Sequence, residues 1–150
     1  MSITLLIRDA RWRKVRGLAA RMKHAVSEAF VRGGAGADAE VTILLTTDRH
    51  VQALNRNFRG KNTPTNVLSF PAGSSLYLGD IAIAYGVAAK EAKAEGKNLA
   101  DHAVHLAVHG VLHLMGFDHV TARQARIMEP LETAILGTLA IPDPYGRKTA

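Results

Sequence analysis

Short β-rich runs alternate along this chain with stretches whose apolar residues recur every three or four positions, and the switches between the two outline its elements. Ile3 to Arg8 reads as a short strand. From Arg11 to Arg32 the apolar residues Trp12, Val15, Leu18, Met22, Val26 and Phe30 recur at helical steps, which predicts one amphipathic helix ended by Gly33-Gly34-Ala35-Gly36. Val41 to Thr46 is β-rich, and Asp48 can cap a helix running to about Phe58. Asn62-Thr63-Pro64-Thr65 is a loop, because Pro64 lacks a backbone donor and biases Thr63 away from helix. Val67 to Phe70 and Asp80 to Tyr85 are the next strands, joined by the turn-rich run Pro71 to Ser75.

Three helices complete the pattern. One runs from about Val87 to Glu95, with Gly96 as its stop. The second, Leu99 to Met115, is the most apolar in the chain and follows Asn98, with Asp101 in the position of a capping-box partner. Thr121 and Gln124 form a regular capping box for the third, in which the interior Pro130 predicts a kink or break near Met128. The order β-α-β-α-β-β-α-α-α predicts an α+β fold, a small mixed four-stranded sheet packed with about five helices, in a single domain over residues 1–150.

Composition narrows the classes. Of 150 residues, 47% are hydrophobic and 21% charged, which is a globular balance. No apolar run is long enough to cross a bilayer, and the apolar run Ile3 to Ile7 precedes its charges, the reverse of a secretory signal. The absence of cysteine excludes disulfides, thiolate catalysis, iron–sulfur clusters and Cys-based zinc sites, and fits a reducing compartment. Residues 1–32 hold eight basic side chains against two acids, which accounts for the whole net charge of +6. A basic end on a neutral body suits an anionic partner such as nucleic acid, and equally a solvated helix face.

The candidate chemistry lies in the histidines. Four of the seven, His102, His105, His109 and His113, share the apolar helix. With His109 at zero they fall at about +20°, −40°, 0° and +40°, a single stripe. His109 and His113, one turn apart, can hold one metal ion, and Gly116 can turn the chain so that His119 reaches the same ion. Three imidazoles suit zinc, and also nickel, copper or iron, and they leave one position open, as catalytic sites do. The pattern is like the metal-binding helix of metzincin proteases, but Gly110 stands where those enzymes carry the general-base glutamate. Around this stripe, His105 reads as a hydrogen-bonded packing histidine or, one turn before His109, as a contact behind the ligands or to substrate, and His102 as exposed near the helix start. Asp118 is placed either to orient an imidazole or to cap the next turn. Glu129 and Glu132 reach the site only if the last helix packs beside it and otherwise read as exposed carboxylates, and His24 and His50 have no evident partners.

The string His109-Gly110-Val111-Leu112-His113-Leu114-Met115-Gly116-Phe117-Asp118-His119 is one of several blocks that together resemble the endoribonuclease YbeY family of bacterial rRNA maturation factors. The others are Leu54 to Lys61, Thr63 to Pro71, Leu78 to Ile81 and Met128 to Glu132, in family order. The resemblance implies a single-strand-specific, metal-dependent endoribonuclease of the cytoplasm, acting on rRNA and meeting the small ribosomal subunit, without DNA specificity. It places one metal ion, zinc or another imidazole-binding ion such as nickel, on His109, His113 and His119, and gives Arg59 a functional role beside it. The guanidinium fork of Arg59 fits a phosphate, and Lys61 with the basic N-terminal part would hold flanking backbone. Aromatic residues, at 5%, are too few for an extended base-stacking platform. The rival functions are a non-catalytic ribosome assembly factor with a structural metal and, more distantly, a zinc metalloprotease. Pro130 departs from the family pattern between its two glutamates.

Overall fold

The computed structural model describes residues 1–74 and 76–146; Ser75, within the expected turn, and residues 147–150 lie outside the described residues. Strands β1 (Ser2–Ile7), β2 (Glu40–Thr46), β3 (Val67–Pro71) and β4 (Tyr77–Ala84) form one sheet in the order β1-β2-β4-β3. β1, β2 and β4 are parallel, and β3 runs antiparallel to β4 at the edge. Parallel neighbours cannot be joined by a hairpin, and α1 (Leu18–Gly33) makes the crossover from β1 to β2. The remaining helices are α2 (Asp48–Arg59), α3 (Tyr85–Ala94), α4 (Leu99–Leu114) and α5 (Ala122–Gly137). The fold is therefore the predicted α+β arrangement of a mixed four-stranded sheet and five helices.

Strand alternation divides the sheet into two unequal faces. Val41, Ile43, Leu45, Ile81 and Ile83 point into the main core, where they meet Met22, Val26 and Phe30 of α1 and Val104, Val108, Val111 and Leu112 of α4. The alternate residues face the other side, where Val51 of α2 packs on Leu68, Ala82 and Ala84 in a smaller cluster. The helix carrying the histidine stripe is thus the central helix of the main core, with its stripe turned away from the sheet toward α5.

Gly110 sets how closely α4 lies on the sheet. A β-carbon there would stand 3.1 Å from two side-chain carbons of Ile81 and from Ser69 Oγ, which is overpacked contact. Ser69 Oγ donates to the Gly110 carbonyl at 3.3 Å, tying helix to strand at the same point. The position therefore faces the sheet, and a side chain there would require Ile81 and Ser69 to give way by a few tenths of an ångström.

The elements differ from the sequence expectation in four places. The expected helix from Arg11 to Arg32 is two elements, a 3-10 turn (Ala10–Lys14) and α1, separated where Val15 is extended. Trp12 causes the separation: it is buried, donates from Nε1 to the Thr46 carbonyl at 3.1 Å and packs edge-on against Tyr85, so the turn belongs to the sheet edge. Thr47, not Asp48, caps α2, accepting from His50 N at 3.1 Å; Asp48 instead accepts from Val87 N at the start of α3. Asn98 caps α4 alone, while Asp101 pairs with Arg21 of α1 at 2.8 Å. Helix α5 continues through Pro130. Both Pro130 and Arg126, whose carbonyl loses its donor, are exposed, so water can satisfy the freed group.

Gly110→Glu, which restores the protease-type carboxylate, should lower stability by about 3 kcal/mol or more, since it forces an unpaired charge against Ile81. Thermal or denaturant unfolding would measure the loss, and the variant should gain no peptidase activity.

Candidate metal centre

The C-terminal end of α4 brings the three ligands together. Its closing turn is a Schellman motif: Phe117 N–H binds the Leu112 carbonyl and Gly116 N–H the His113 carbonyl, both at 3.0 Å. Gly116 takes the positive φ of +98° that this motif requires, and the chain folds back so that His119 overlies His109 and His113. Ring centroids are 4.5 Å apart for His109–His113, 4.7 Å for His109–His119 and 5.2 Å for His113–His119. One nitrogen from each ring falls within a sphere of mutual distances under 4.8 Å.

The spacing and the hydrogen bonds behind it suit a bound ion. Two nitrogens on a tetrahedral zinc lie about 3.4 Å apart, and His109 Nε2 and His113 Nε2 face each other at 3.0 Å. Nδ1 of His109 donates to Glu132 Oε1 at 3.3 Å, which fixes the tautomer and leaves the Nε2 lone pair facing the other rings. Burial lowers the His113 pKa, and the neighbouring charges of His109 and His119 lower it further, so this ring is neutral and ligand-ready at pH 7.

Glu132 overturns the expectation of an exposed carboxylate. It is wholly buried between α4 and α5. It accepts from His105 Nε2 at 2.6 Å and Tyr145 Oη at 2.8 Å as well as from His109. Burial pushes its carboxyl pKa up, but the hydrogen bonds from His105 and His109 outweigh it and hold the group at about 2. The signal was present in the sequence: Met128, Glu132, Ile135 and Leu136 form one helical stripe, and all four are buried. Glu129 is half-buried and belongs to neither of the candidate ligand groups among the described residues.

His102 is likewise buried rather than exposed. The side of α4 that carries it packs against α3, where its Nε2 meets Glu91 Oε1 at 3.0 Å. His105 is the hydrogen-bonded packing histidine expected. Asp118 caps the turn, accepting from the His119 backbone N–H at 2.7 Å, while its distance of 3.9 Å to His119 Nδ1 is too long for a hydrogen bond. His24 is exposed, and His50 bonds Thr46 Oγ1 through Nδ1 at 2.9 Å on the far face of the sheet.

The three rings open into a groove of about 900 Å³, and Arg59, the last residue of α2, lines it with them. Lys61 is exposed two residues further on and does not line the groove. The architecture and this centre define a class: an α+β protein with an open three-histidine site, two ligand residues on its core helix and a third on the following turn.

Comparison with known proteins makes the class specific. A family model described as endoribonuclease YbeY matches residues 7–140. Relatives named endoribonuclease YbeY include one from Rhodopseudomonas palustris, 54% identical over 115 residues, covering 71% of this chain and 60% of the relative. Another, from Paramagnetospirillum magneticum, is 50% identical over 119 residues and covers 73% of each chain. A third, from Ruegeria pomeroyi, is 42% identical over 165 aligned positions, covering 97% of this chain and 98% of the relative. A Thermotoga maritima protein solved in solution has the same fold, with a TM-score of 0.60 at 21% identity over 97% of this chain and 99% of that one. The chain belongs to the endoribonuclease YbeY family.

Glu132→Gln keeps the shape but removes the charge, and should weaken zinc binding about 10- to 100-fold in a chelator competition. The folded carboxyl's pKa lies below its ordinary 4.5, so its stabilisation is full above pH 4.5 and is lost as pH falls toward 2. The difference in Tm between native protein and variant should accordingly narrow through that window.

Proposed function

We propose that this chain is a single catalytic domain that uses zinc, or another imidazole-binding divalent ion, on His109, His113 and His119 to cleave phosphodiester bonds of single-stranded RNA. The carrying observation is the convergence of three imidazoles in a groove that also holds Arg59. The donor set is nitrogen only and has room for a further ligand, which favours a catalytic over a structural ion. When bound, such an ion supplies charge to polarise a phosphoryl oxygen and to lower the pKa of a water toward neutrality.

The chain's own residues do the rest. Glu132 orients His109, and the core helix holds His109 and His113 one turn apart. Arg59 offers planar donors to the phosphate and stabilises charge that develops on it during cleavage. Lys61 and the basic N-terminal part attract flanking phosphates, an interaction that weakens with salt. Gly110 stands where a metalloprotease carries its general-base glutamate, which disfavours the metalloprotease reading. The substrate in the cell is rRNA, met on the small ribosomal subunit in the cytoplasm; the family, the basic surface and the lack of any helix able to cross a membrane among the described residues support this.

The zinc-loaded protein should cleave single-stranded RNA and spare duplex. His113→Ala should remove the activity in a protein that remains folded, and Arg59→Ala should reduce it about 100-fold. Equal cleavage by native protein and His113→Ala would point to a contaminating nuclease. No cleavage by either, with loss of stability and ribosome binding in His113→Ala, would favour the non-catalytic assembly factor.

A further inference from the structure

The outer face of the sheet carries a second groove, of about 650 Å³, that the chemistry above does not use. One wall is a stripe of α2, with His50, Leu54 and Phe58 at four-residue steps, and Leu6 of β1 and Phe70 of β3 also line it. Single exposed apolar residues are ordinary on a protein surface. Here Phe58, 70% exposed, and Leu6, 46% exposed, line the same groove. The Phe58 ring is not loose: it meets Phe70 edge to face, with centroids 5.6 Å apart, so one of its faces is left bare on a fixed support.

Beside the ring, the groove carries one cation and one carboxylate. Arg8 lines it and makes no ion pair among those found in the described residues. Its one carboxylate, Asp80, is engaged by the Tyr77 hydroxyl. The groove borders the metal-centre groove at the edge strand. Pro71 lines both, and Arg59, which lines the first, directly follows Phe58, which lines the second. A strand passing from one groove to the other over Pro71 would thus meet a phosphate donor on one side of that edge and an aromatic ring on the other.

We infer that the outer groove is a nucleobase-stacking subsite: an unpaired base flanking the phosphate held at Arg59 stacks on Phe58, and Arg8 takes a neighbouring phosphate. This rests on the ribonuclease reading and deepens it. Stacking on an aromatic ring tolerates every base, but only a base released from its own stack can reach the ring. The subsite therefore gives a physical source for single-strand preference that the metal centre alone lacks. It needs one supported ring rather than an extended platform, which suits a chain poor in aromatic residues.

Phe58→Trp puts a fluorophore at the subsite, with the other tryptophan, Trp12, buried as a constant background. Titration of the zinc-loaded variant with a 12-nucleotide single strand should quench its emission, whereas a duplex of equal length should not. Phe58→Ala should weaken single-strand binding about 5- to 100-fold without changing its salt dependence. Arg8→Ala should instead reduce the slope of log K against log salt by about 0.7. RNA integrity after each titration is checked on a gel, so that binding is read apart from cleavage. Binding of single strands by Phe58→Ala as tight as by the native protein, or equal quenching by duplex, overturns the subsite and leaves the ribonuclease reading standing. Failure of the native protein to bind single strands overturns both. A change from dimer to monomer in Phe58→Ala, with RNA affinity intact, assigns the face to a second copy of the chain and likewise overturns the subsite.

Discussion

The close seat of α4 on the sheet is the constraint from which the rest of the molecule follows. Gly110 lets the helix axis approach Ile81 and Ser69 more nearly than any other residue would allow. That approach buries Val104, Val108, Val111 and Leu112 on one side and fixes the rotation of the helix about its axis. With the rotation fixed, His105, His109 and His113 emerge on the side turned to α5. The same contact that builds the core therefore aims the ligands. It also explains how a helix with a metalloprotease-like histidine spacing can belong to a different chemistry: the residue between the ligands is committed to packing.

A second constraint joins α4 to α5. Glu132 carries a charge into the interior, where an unpaired carboxylate would cost several kcal/mol. His105, His109 and Tyr145 supply three donors to it, two from α4 and one from the segment after α5. Each partner compensates the others, so helix packing, imidazole tautomer and the course of the chain after α5 are set by one polar cluster. Such clusters are expensive when incomplete: three donors reach the carboxylate, while Nδ1 of His105 behind it is buried without a hydrogen-bond partner among the described residues.

Much of this was legible in the sequence, for local reasons. Helical spacing, a glycine after the last turn and a third histidine three residues beyond are relations within eleven residues, and they bring the three rings together almost alone. Element order and sheet type followed from periodicity for the same reason. What escaped depended on distant partners. Glu132 reads as a surface carboxylate until α4 supplies its donors, and His102 reads as exposed until α3 covers it. The break after Lys14 is dictated by a hydrogen bond from Trp12 to Thr46, more than thirty residues away. Pro130 misled in the opposite direction, because its rule assumes a carbonyl with no access to water.

The ligand residues are divided unequally between rigid and yielding structure. His109 and His113 belong to a helix whose other faces are core, while His119, 47% exposed, sits on a surface turn beyond the helix. None of the large apolar contacts of the core passes through these rings. Two of the three rings are thus set by core packing, while the third depends on the local turn that Gly116 begins. An ion held by these rings would bind the folded chain alone, so its occupancy would add to the stability of the fold.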